Sequence, residues 1–211
     1  MSYIFFFIFP WLVMLWLGQA LMSCLKISLS QRASLGCAIA ALGIVVVPVG
    51  GIPLGRWFAG LNLQPSLPLL ALLAGQIWKN GFQQELLRPK DTAAGWIFGA
   101  VMGTLLYPAA LGWGNFDPYS LGWSASILFP IVALLTIFLV WKQNRFSLLL
   151  VLSILAYDLR LLESPNFWDY LVDPIYWLLS IIMLTIVLLK KLCRRRTLAT
   201  AKSACTAANA R

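Results

Sequence analysis

Four of the chain's seven carboxylates fall in one stretch, YDLRLLESPNFWDYLVDP, residues 157–174. Asp158, Glu163, Asp169 and Asp173, with Arg160 among them, are the side chains closest to doing chemistry. Paired carboxylates can pass a proton as general acid and base. Asp158, Glu163 and Asp169 are the candidates for such a catalytic role, although no spacing between them specifies a reaction. The chain has no histidine, which removes the commonest general base and the commonest metal or haem ligand. Its four cysteines, Cys24, Cys37, Cys193 and Cys205, show no CxxC or zinc spacing and are expected to be free thiols. No metal and no cofactor is expected. GxSxG, HExxH and P-loop patterns are absent. Tyr157–Asp158 matches one motif of intramembrane aspartyl proteases, but their GxGD motif is missing, so the match is chance.

Binding is the other chemistry open to these residues. The stretch GNFDPYSLGW carries Asn115, Asp117 and Tyr119. These are expected to meet Asn166, Trp168 and Asp169 around a shallow pocket that could hold a sugar, a cationic group or a partner protein. Asp158 follows Phe146 by twelve residues, about 18 Å of helix. It should therefore lie within a membrane or just under its headgroups, where a carboxylate needs a partner. Arg56 is the expected partner. Arg160, two residues on, points to a different helix face and is expected to meet Glu163 instead. Ser164–Pro165 and Asp173–Pro174 read as helix starts. Asp169 and Asp173 would share a face of any short helix between them.

The elements that must position these groups follow from composition. The chain is 61% hydrophobic and only 11% charged, against about 25% charged in soluble domains. Apolar runs near the ~20 residues that cross a bilayer recur along it. The expected fold is an all-α integral membrane protein, a compact bundle of about seven transmembrane helices over residues 1–196, with a flexible cytoplasmic tail at 197–211. The spans are expected at 4–24, 35–54, 66–78, 92–113, 122–141, 146–162 and 174–189. LMSC, residues 21–24, resembles a lipoprotein cleavage box, but no positive charge precedes it, and the first run is read as a retained span. The second run should break near Pro48, Gly50, Gly51 and Pro53. The third, from a capping Ser66 to Trp78, has twelve apolar residues and covers only about 18 Å. If it is re-entrant, the count falls to six.

Charge sets the orientation. With the N-terminus outside and the C-terminus cytoplasmic, fourteen of the sixteen Lys and Arg residues lie inside, and only Arg56 and Arg160 lie outside. The net charge of +9 is thus a topology signal, and no basic domain exists to bind nucleic acid. Gly95, Gly99 and Gly103, four apart, form a close-packing face. It is expected to serve this bundle or a membrane-protein partner, with the outer loops as a second partner surface and lipids around the whole.

The reading these features favour is a non-catalytic accessory or assembly subunit of a cell-envelope system, in a bacterial inner membrane. Its binding residues would be Arg56, Asn115, Asp117, Tyr119, Asp158, Arg160, Asn166, Trp168 and Asp169. One alternative is a small transporter or lipid-handling protein with a site at the broken second and short third helices. The other is a membrane-embedded enzyme using the outer-face carboxylates.

Overall fold

A computed structural model describes the backbone of residues 2–209 except 26, 28–29, 61–63, 114–115 and 125. Side chains are described within residues 7–193, Ala59 apart. The chain is nearly all helical. Its first apolar run forms α1 (Ser2–Cys24). Ser30 then accepts a hydrogen bond from the Ala33 N–H at 3.2 Å and starts α2 (Gln31–Val46). The second run does break where expected. Pro48–Val49 (β1) pairs antiparallel with Ile52–Pro53 (β2) around Gly50 and Gly51, whose φ values are +63° and +81°. A two-residue hairpin turn needs left-handed backbone at both positions, which glycine adopts without strain. A short helix, α3 (Leu54–Ala59), follows.

The third run is longer than its apolar residues suggest. α4 (Leu67–Phe82) has sixteen residues, about 24 Å, and ends at Gln83, whose φ is +58°. It is a continuous helix packed against α1, α2 and three further elements. Next come α5 (Pro89–Ala110), a 3-10 turn at Pro118–Gly122, α6 (Leu128–Trp141), α7 (Phe146–Asp158), α8 (Phe167–Leu171) and α9 (Pro174–Asn209). α6 begins six residues later than expected: the 3-10 turn takes Gly122, and Ser126, which donates to Leu121 O, accepts from the Leu128 N–H where the helix starts. α9 stays helical well past residue 189.

Hydrogen bonds at helix ends show how the helices run relative to one another. At one end Asp173, before α9, accepts from Ser66, before α4, and the Tyr107 hydroxyl on α5 donates to Val172 O at 3.4 Å. At the other, Asp91 at the start of α5 accepts from Arg88 and from the Arg145 N–H at 3.0 Å, just before α7. Gln19, late in α1, donates to Ser34 Oγ at 3.1 Å, early in α2. Successive long helices therefore alternate in direction. The first end gathers Asp117, Asp158, Glu163, Asp169 and Asp173 and is called the carboxylate end. The opposite one, with Lys79, Arg88, Lys90, Lys142 and Arg145, is the basic end.

The glycine face of α5 is filled from within. A Cβ on Gly99 would fall 2.7 Å from the Tyr176 ring, one on Gly95 2.9 Å from Leu72, and one on Gly103 would overlap Trp177. Tyr176 donates to Gly95 O. α9 therefore fills this face at Gly99 and Gly103, and Leu72 of α4 fills it at Gly95. The buried core centres on α4 and includes Phe9, Leu72, Phe98, Phe146, Leu150, Phe167 and Tyr176. Outside it, the surface remains apolar. α6 buries only Leu128, Val132 and Thr136, on one stripe, and exposes Ile131, Leu134, Ile137 and Phe138.

Three helices are long and apolar enough to cross a membrane, at Phe7–Cys24, Pro89–Ala110 and Pro174–Cys193. α2, α6 and α7 are apolar but shorter. The latter two, with 14 and 13 residues, reach only about 20 Å against a hydrocarbon core of about 30 Å.

Candidate functional site at the carboxylate end

The two loops expected to meet do meet, but as a closed junction. Asn166 caps α8 by accepting from the Trp168 N–H at 3.0 Å, and its Nδ2 donates to Tyr119 O at 3.0 Å. Trp168 Nε1 donates to Pro118 O at 2.9 Å. Asn166 and Trp168 are buried. Asp117 holds the 3-10 turn, accepting from the Tyr119 N–H at 2.9 Å, the turn role its position before Pro118 suggests. Asn115 lies outside the described residues. The helix start expected at Ser164–Pro165 falls two residues later, at Asn166. Ser164 has another use, donating its hydroxyl to Asp169 and accepting from the Asn166 N–H.

Asp169 also accepts from the Tyr119 hydroxyl at 3.1 Å. Burial pushes its carboxyl above the ordinary range, against the pull of the Ser164 and Tyr119 hydroxyls. Burial, and then the nearby Asp169 charge, push Tyr119 up to about 12, so its proton stays available to donate. Asp173 is more deeply set. One oxygen accepts from the Ser66 N–H at 2.9 Å and hydroxyl at 2.6 Å, the other from the Ile175 and Tyr176 N–H groups at 2.9 and 3.0 Å. It thereby caps α9 and ties it to α4. Burial raises its carboxyl too, opposed by those four donors. Asp169 and Asp173 do not share a helix face, because α8 ends at Leu171.

Asp158 is where the structure departs most from expectation. It is exposed at the last residue of α7. Among the described residues the ion pairs are Lys79–Glu85 and Arg88–Asp91, both at the basic end. Arg56 is not paired with Asp158. It sits on α3, which packs on α1 and α2, whereas α7 packs on α4, α5, α6 and α8. Arg160 does not pair with Glu163 either. The helix has ended, and Arg160 takes a left-handed φ of +50°, so helical spacing no longer applies.

Asp158, Arg160 and Glu163 instead line a cavity of about 450 Å³ together with Trp123, Tyr157 and Tyr170, while Arg56 lies at a separate pocket with Ile52 and Trp57. Tyr170 anchors its floor, accepting from the Leu162 N–H at 3.2 Å and donating toward the Leu162 and Ser164 carbonyls. Two carboxylates and a guanidinium among aromatic rings suit recognition of hydroxyl-rich or cationic groups. Nothing local in the sequence marks Trp123, Tyr157 and Tyr170 as cavity walls. Among the described residues no three carboxylates or cysteines gather as a metal site.

Fold and site together define a nearly all-α bundle with three membrane-length apolar helices and an acidic–aromatic cavity at one end. No family model, curated protein or solved structure matches the chain.

Proposed function

We propose that this is a polytopic protein of a bacterial inner membrane, threaded seven times with its carboxylate end outside and its basic end in the cytoplasm. It acts by binding, as an accessory or assembly subunit of an envelope system. The fourteen-to-two division of basic residues supports the orientation. The apolar outward faces of α6 and α9 support the lipid setting. The observation that carries the binding role is how the carboxylates are divided. Asp169 and Asp173 are occupied as acceptors that tie loops and helices together. Asp158 and Glu163, beside Arg160, are left exposed around an aromatic-walled cavity.

A photo-crosslinking residue at Trp123 tests this in intact membranes. The expected result is one discrete crosslinked envelope protein, lost in an Asp158→Asn/Glu163→Gln variant that still accumulates normally. Crosslinks to lipid alone, or a product unchanged by the double variant, would overturn it.

A further inference from the structure

A second cavity lies at the opposite end, away from the outer-face site. Between α1, α2 and α4 runs a groove of about 520 Å³, within the roughly 300–1,000 Å³ of small-molecule sites. Its walls are apolar, including Leu15, Leu35, Ala38 and Ile77. The Trp11 indole, donating to Ala38 O at 3.0 Å, helps to line it. Trp78 and Phe82, stacked with centroids 4.3 Å apart, line it on the α4 side. Gln31, Arg32 and Ser34 are its polar lining residues, all from the first turn of α2, and Ser34 Oγ is already held by Gln19.

We infer that this groove binds one anionic phospholipid, with an acyl chain along the apolar walls and the phosphate against Arg32. Charge favours that occupant. Arg32 is exposed and has no ion pair among the described residues. At the same end Glu85 is neutralised by Lys79 at 2.6 Å and Asp91 by Arg88 at 3.0 Å, so the uncompensated charge is positive. Ser30 takes up the Ala33 and Ser34 N–H groups, which leaves those of Gln31 and Arg32 without an acceptor in the helix, adding partial positive charge beside Arg32. From Arg32 to Ala38 the groove follows about 9 Å of α2, so headgroup and chain contacts are adjacent. A basic pocket between helices at the cytoplasmic side, continuous with an apolar groove, is where a lipid carries both features at once. The sequence alone points a lipid site to the broken end of α2 near Pro48–Pro53; the groove lies at the other end of that helix.

Full-length protein in detergent, titrated with phosphatidylglycerol or phosphatidylcholine of identical chains and followed by native mass spectrometry, tests the assignment. Saturable binding of one phosphatidylglycerol, at least tenfold tighter than phosphatidylcholine, is expected. Arg32→Gln should erase that preference and Arg32→Lys should keep most of it. Ala38→Phe, which fills the groove, should weaken both lipids. Equal affinity of the unmodified protein for the two lipids, or a preference surviving Arg32→Gln, would overturn the proposal. Equally tight binding of chain-free glycerophosphoglycerol would assign the site to a soluble phosphate and overturn it as well.

Discussion

Asp173 accepts from donors on two sides, and its replacement separates two jobs. Asp173→Ala leaves the Ser66 donors and the α9 cap unmatched, in a site where Ser66 and Tyr176 are fully buried. Losing a cap costs about 1 kcal/mol, and each stranded buried donor about 1–3 kcal/mol, so a loss of several kcal/mol is expected. Asp173→Asn keeps one acceptor oxygen for the cap and should lose clearly less. Thermal unfolding of the two variants in detergent would rank them, and equal loss would show the cap on α9 to be dispensable. The cap was legible in the Asp173–Pro174 pair. The Ser66 tie was not, because it spans 107 residues and depends on how α4 and α9 approach. Asp169 makes a different prediction. Its folded-state carboxyl is raised, so its contribution is fully present below the ordinary 3.8 and is lost as pH rises through the raised value. Asp169→Asn should therefore flatten the fall in melting temperature between acidic and neutral pH.

Packing of α5 on α9 rests on the absence of side chains at two positions, Gly99 and Gly103. Gly99→Ala would drive a methyl group into Tyr176 and Ser180. Both partners are fully buried and have little room to shift, so about 1–3 kcal/mol of destabilisation is expected. Gly43→Ala on α2 has nothing within 4 Å and should be neutral or stabilising by about 0.4–1 kcal/mol. Comparing unfolding of the two separates close approach from helix propensity, and similar behaviour would reject the packing role. The four-residue glycine spacing announced a packing face but not its occupant, since spacing carries no information about which helix arrives. Likewise Pro48, Gly50, Gly51 and Pro53 announced the end of α2. The Ser164–Pro165 start failed because Asn166, two residues on, supplies the cap and Ser164 serves Asp169.

Across the molecule, the alternating helix directions and the separation of charge between two ends are independent features that agree. Composition and apolar runs made the helical bundle legible. Span lengths were not, because loops took residues from the start of α6 and the end of α7. The cavity was not legible either, since its floor and charged rim come together only after the chain turns at Arg160. Membrane orientation is where the two features meet in one experiment. In a variant with its cysteines replaced by serine, a single cysteine is placed at Phe116 or at Gln84, both exposed and at opposite ends. An impermeant maleimide should modify Phe116→Cys in intact cells and Gln84→Cys only after permeabilisation. Lysines and arginines resist translocation whatever the helices do, so the reverse pattern would put the basic end outside. The cavity at Asp158 and Glu163 would then face the cytoplasm, and the outer-face binding role proposed for it would fall with the orientation.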